Sequence, residues 1–222
     1  MDHLSTDVLV VGAGAAGMYA SVSAAKLGAD VIICDKSLIS RGGATVMAQM
    51  TVAAAITHQE ADHWTHHLHD TIQSGQGLCN EKLSYQLCKN APRKILEMRD
   101  WKTDWANDNA RIRQVLAPGH EVKRCCYVDF LSTGPAVART LRGEVAKHKN
   151  IKRVSGITII DLVVQKFRVV GAIGLHTETG EFVSFAAKAV VLAAGGLTQL
   201  FSRNSASKNM GGDSHALALR AG

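Results

Sequence analysis

Short, wholly apolar runs alternate along this chain with stretches of helical period. Val8 to Val11 has the pattern of a parallel strand buried on both faces, and Val31 to Cys34, ending at Asp35, repeats it. Between them Ala, Met, Leu and Lys dominate from Ala15 to Leu27, which predicts a helix, with Gly28 where it would stop. Residues 59 to 99 are helical in character, with one helix opening at Gln59, a second at Asn80 and a third where Pro92 occupies a first turn. Asp100 to Glu121 is polar and irregular, a loop pinned to the core by Trp101 and Trp105 rather than a base-stacking surface built with Arg111 and Arg113. Thr133-Gly134-Pro135 opens a helix to about Lys147. Strand patterns follow at 153–164, 167–177 and 181–186, a β-meander within about 151–187, and then a core strand from Ala189 to Ala193. The sum is an α/β fold: a Rossmann-like domain over 1–222 with a parallel sheet, a helical insertion and a β-meander.

The first turn after a strand carries the chemistry. Val11 runs into Gly12-Ala13-Gly14-Ala15-Ala16-Gly17, and each glycine has a distinct use. Gly12 permits the tight turn, Gly14 lets a pyrophosphate approach the backbone, and Gly17 lets the helix lie close to the strand. The amides of that helix's first turn form an anion site. Asp35 follows Gly17 at the spacing of an acid that accepts hydrogen bonds from an adenosine ribose. Further on, Gly42, Gly43 and Ala44 let a flat ligand lie against the backbone, while Ser40, Thr45 and Gln49 offer hydrogen bonds. Ala194-Gly195-Gly196, closing the last core strand, falls at the strand end where open α/β sheets bind ligands.

Composition narrows the remaining choices. The 222 residues are 46% hydrophobic, ample for a packed core, and no apolar segment reaches the length of a membrane span. The opening Met1 to Asp7 has no basic or apolar signal region, which points to a cytoplasmic protein, peripheral at most to a membrane complex. Five cysteines, Cys34, Cys79, Cys88, Cys125 and Cys126, contain no C-x-x-C pair, so neither a zinc ribbon nor an iron–sulfur cluster is built from them. His63 and His67 share a helical face near His66 and His69, but no further ligand completes a metal set. The net charge of +6 is dispersed, compatible with anionic ligands or an acidic partner subunit and not specific to nucleic acid.

Taken together these motifs resemble the FAD-binding domain of the fumarate reductase and succinate dehydrogenase flavoprotein family, which also holds aspartate oxidase and adenylylsulfate reductase. The residues that carry the resemblance are V-V-G-A-G-A-A-G from Val10, D-K-S at Asp35, R-G-G-A-T-V-M-A-Q from Arg41, D-H-W-T-H-H-L-H-D-T from Asp62, L-S-T-G from Leu131, V-L-A-A-G-G from Val191, and G-G-D-S-H-A-L-A-L-R-A-G from Gly211. The resemblance implies that Gly12, Gly14, Ala15, Ala16 and Gly17 hold the FAD pyrophosphate and Asp35 the adenosine ribose. It implies that Lys36, Ser37 and the chain through Gln49 wrap the flavin side, and that Asp213 lies in the family's T-G-D-G cofactor segment.

Departures from the pattern shape the expectation. Members that attach FAD covalently carry histidine in R-S-H-T, whereas Arg41-Gly42-Gly43-Ala44-Thr45 has none, so FAD is expected to bind non-covalently. Ser214 stands where glycine is usual, and Met50-Thr51 where two glycines are. The family continues past this point into a capping domain that supplies substrate residues; here no catalytic residue is assigned, and the expectation is that a second chain provides them or that the chain is a fragment. The implied activity is hydride transfer between FAD and a small anionic substrate, with electrons from an iron–sulfur or other electron-transfer subunit. An enzyme of the aspartate oxidase type and a flavin-binding relay module without chemistry of its own remain open beside it. A second G-x-G-x-x-G is absent, and the context favours FAD over NAD and NADP.

Overall fold

Strand β1 (Asp2–Val11) begins well before the apolar run, because its polar first half is a strand by pairing rather than by burial. The computed structural model describes residues 2–222, and the chain forms two units, one from its two ends, up to Met47 and from Leu141 onward, the other from Ala48 to Thr140. In the first unit Gly14 precedes helix α1 (Ala15–Lys26), Gly28 follows it at a φ of +88°, and β2 (Val31–Asp35) comes next.

The second unit holds the helical insertion. A short sheet combines β3 (Val52–Ala53), a later β6 (Gln114–Val115) and β7 (Cys125–Cys126). Helix α2 (Trp64–Ser74) packs on α3 (Glu81–Asp100). Two expectations are corrected here. Gln59 does not open α2: Asp62 is engaged by Arg124, and His63 caps the helix by accepting the amide of Thr65. Pro92 does not open a third helix but sits inside α3, where Cys88, Ile95 and Met98 form one continuous buried stripe. That stripe outweighs the single backbone hydrogen bond that proline removes. The polar loop folds into a tight hairpin of β4 (Asn107–Asp108) and β5 (Arg111–Ile112), with Trp105 buried and Arg111 and Arg113 exposed. Helix α4 (Thr133–Lys147) then returns the chain to the first unit.

The last third of the chain completes the main sheet with β8 (Ile151–Ser155), β9 (Ile157–Gln165), β10 (Arg168–His176) and β11 (Phe182–Leu192), followed by helix α5 (Asp213–Ala221). The order is β8-β2-β1-β11-β10-β9, parallel from β8 to β11 and antiparallel beyond. The expected strand over 153–164 is therefore two strands. Gly156, at a φ of +72°, breaks it and sends β8 to one edge and β9 to the other. Conversely, the expected strands at 181–186 and 189–193 are one strand, β11, whose first half pairs with both β1 and β10. The meander is β9-β10-β11.

Alternation divides the sheet's faces. Leu9, Val11, Ile32, Cys34, Val183, Phe185 and Ala187 form one core face with Ile157 and Ile159, closed by Leu217 of α5. Val10 and Ile33 alternate with them and are buried, as are Met18 and Val22 of α1, which packs on β1 and β2. Among the described residues no helix is long and apolar enough to cross a membrane.

Candidate functional site

The parallel strands β1, β2 and β11 end at the same level, and a cavity opens there. Gly12 forms its floor: its amide donates to the Cys34 carbonyl at 2.8 Å, while the Ala193 amide donates to the Val11 carbonyl at 2.7 Å. A Cβ on Gly12, at a φ of +102°, would overlap the Ala193 carbonyl, and one on Gly17 would overlap the Gly12 carbonyl. These two positions thus bring three strand ends and a helix closer than any side chain would permit.

The amino end of α1 is left open toward the cavity. Gly14 at the cap has no side chain to accept a first-turn amide. The Ala15 amide donates to Thr45 Oγ1 at 3.0 Å, while the Ala16 and Gly17 amides find no side-chain acceptor among the described residues. This arrangement of amides and helix dipole favours a phosphate-like anion.

Two carboxylates and one ammonium line the same cavity. Asp35 Oδ2 accepts the Ala13 amide at 2.7 Å, and Oδ1 accepts the amide and hydroxyl of Ser37, each at 2.8 Å. Lys36 Nζ donates to Asp213 Oδ2 at 2.6 Å. The Cys34 thiol beneath them is pushed up to about 12, first by burial and then by the charge of Asp35, so it stays protonated and inert at neutral pH.

Most residues singled out in the sequence converge here. Gly12, Gly14, Ala15, Ala16, Asp35, Lys36, Gly42, Gly43, Ala44, Thr45, Ala194, Gly195 and Asp213 line the cavity. Gly17 acts beneath the helix, and Ser37 stands behind Asp35. Ser40 is buried, at a φ of 62°, with its hydroxyl accepting from Arg142 at 3.1 Å, and it does not line the cavity. Gln49 is exposed and belongs to the other unit.

Periodicity did not single out Asn209 or Met210, which line the cavity with Ile157, Thr158, Ile159 and Leu217. Asn209 donates to Ser37 Oγ at 3.3 Å, and a Cβ on Gly42 would collide with that same amide. The one sequence signal for this wall was the alternation of β9, which places Ile157 and Ile159 on one face. Ser214, the departure from glycine, accepts the Ala194 amide at 3.0 Å and ties the end of β11 to the start of α5.

In the second unit Arg124 is fully buried. Asp62 receives its Nε and Nη2 at 3.0 and 3.2 Å, and Asp70 receives Nη1 at 2.5 Å. His120 Nδ1 lies 3.4 Å from the same Nη1, and its ring centroid is 5.6 Å from that of buried His67. Burial, then the Arg124 charge, lowers His67 to about 4, and the same two causes lower His120.

The family model described as FAD binding domain matches residues 7–222. An uncharacterized FAD-dependent oxidoreductase from Methanocaldococcus jannaschii is 32% identical over 99% of this chain and 40% of its own length. The succinate dehydrogenase flavoprotein subunit of Rickettsia bellii is 30% identical over 99% of this chain and 38% of its own. Among solved structures, the Mycobacterium smegmatis Sdh1 complex in its apo form superposes with a TM-score of 0.95 at 33% identity, over 100% of this chain and 39% of that one. The chain thus spans about two-fifths of the length of the curated relatives it matches.

Proposed function

We propose, from the premise that this chain belongs to the FAD binding domain family, that it is the FAD-holding portion of an oxidoreductase of the succinate dehydrogenase and fumarate reductase type. The observation that carries this reading is the cavity at the ends of β1, β2 and β11, walled by Gly12, Gly14 and Gly43 and facing the uncapped amino end of α1. Those groups fit a dinucleotide, because a diphosphate needs close backbone approach and converging amides.

Gly12, Gly14 and Gly17, with the Ala15 and Ala16 backbone, would hold the pyrophosphate, and Asp35 the adenosine ribose. Lys36, Gly42, Gly43, Ala44 and Thr45, with Ala194, Gly195 and Asp213, would border the rest of the cofactor. Bound FAD supplies hydride transfer at its flavin ring. The chain's own part is to bind, orient and exclude water. Substrate contacts and proton delivery fall to further polypeptide, the substrate being a small anion and the electron partner an iron–sulfur or comparable subunit.

Non-covalent binding is part of the proposal. No histidine or tyrosine lines the cavity among the described residues, and the single cysteine there is a buried, protonated thiol. The test is an absorption spectrum of the purified chain, repeated on the supernatant after acid precipitation. Bands near about 370 and 450 nm that move into the supernatant support a non-covalent flavoprotein. Flavin retained in the pellet overturns the non-covalent part, and a colourless chain that takes up no added FAD overturns the whole reading.

A further inference from the structure

We infer that Lys36 is a positioning residue: it fixes the Asp213 carboxylate at the amino end of α5 so that one oxygen stays open to the cavity as an acceptor for a cofactor hydroxyl. The inference rests on the proposed reading that FAD occupies this cavity, and it follows from counting acceptor sites on the two acids there.

A carboxylate offers about four acceptor sites. Asp35 spends three of them on its own chain, on the Ala13 amide and on the amide and hydroxyl of Ser37. One of these bonds holds the glycine turn against the end of β2, and the other two hold the turn that follows β2. Asp213 is the opposite case. Its Oδ2 takes the Lys36 ammonium at 2.6 Å, and its Oδ1 takes no donor among the described residues. Both side chains line the cavity and are about one-third exposed, 32% for Lys36 and 38% for Asp213.

Lys36 matters because it is the one side chain among the described residues that donates to the Asp213 carboxylate. The residues before it are Gly211 and Gly212, the latter at a φ of 83° and without a capping side chain. The hydroxyl of Ser214, after it, is engaged by the Ala194 amide. An aspartate in the first turn of a helix without such a partner turns toward that helix's own free amides. The ammonium competes with them and holds the carboxylate against the cavity wall. A pair this exposed adds little to folding stability, so its effect falls on ligand geometry.

The test is titration of FAD against the full chain, followed by loss of flavin fluorescence, with thermal melting of each cofactor-free variant alongside. Asp213→Ala should raise Kd about tenfold and Lys36→Met about fivefold, the scale of one charge-assisted hydrogen bond lost or misaimed. The double variant should bind no worse than Asp213→Ala alone, and Lys36→Arg should return Kd to within about twofold of the parent. Cofactor-free melting should be unchanged in all four, which separates positioning from a structural role. Normal binding by Lys36→Met beside weak binding by Asp213→Ala, or losses that multiply in the double variant, overturns the positioning role. Normal binding by Asp213→Ala removes Asp213 from the cofactor contacts and the inference with it. A parent chain that does not bind FAD overturns the proposed function itself.

Discussion

The two units place their charges in opposite ways. Arg124 is fully buried in the second unit, and two carboxylates and a histidine meet its nitrogens. In the first unit Lys36, Asp35 and Asp213 stand on a cavity wall, and Asp213 keeps one oxygen without a donor. The Arg124 guanidinium is fully engaged, so a ligand reaching it would have to break bonds already made, although the buried Nδ1 of His67 beside it has no partner among the described residues. An acceptor open to a cavity can receive something. Both units are rich in charge, so what distinguishes the receptive site is a charged acceptor left open on a cavity wall, not charge itself.

The comparison breaks most visibly at Arg124. Arg124→Met should strand Asp62 and Asp70 in the interior and cost about 3–5 kcal/mol, measured by urea unfolding. A loss below about 1 kcal/mol would mean that water reaches Asp62 and Asp70.

Acid tests the same cluster next. His67 and His120 both have folded-state values below the unfolded one, so their contribution is present above about pH 6.5 and is lost as pH falls below it, for His67 on the way down to about 4. For His67 the loss should be roughly 3 kcal/mol. Urea unfolding at a series of pH values should show this decline, and His67→Phe should flatten it. An unchanged pH profile in that variant would place the titration elsewhere.

On the cavity side Gly12→Ala adds strain at a positive φ and a collision with the Ala193 carbonyl, costing about 1–3 kcal/mol. FAD binding should be lost along with it. Retention of parental FAD affinity would remove this turn from the cofactor site.

The smallest expected effect is at Ser214. Ser214→Ala frees the Ala194 amide and should lower the melting stability of the cofactor-free chain by about 1 kcal/mol. No change would mean that the amide finds water instead.

Legibility followed locality. The helix after the glycine turn, its stop at Gly28 and the buried strand at Val31 were readable because each depends on neighbours within a few residues. The polar half of β1 was not, since Asp2 to Thr6 become a strand only by lying beside β11. Pro92 read as a start because a proline's own backbone says so, yet the apolar stripe on either side of it made one helix.

By itself, then, the sequence determined the dinucleotide turn, Gly12 to Gly17 with Asp35, because backbone conformation and close approach are written directly in the absence of side chains. It also determined the family, through motifs recurring in order. Only the tertiary structure decided that the stretch around Gly156 divides between opposite edges of one sheet, since a strand's partner is chosen by long-range packing. It alone decided that Asn209, Met210 and β9 wall the cavity, and that Lys36 meets Asp213. The reason is common to all of these. A hydrogen bond between groups far apart along the chain leaves no period in the sequence, and acceptor capacity is known only once every donor has been placed.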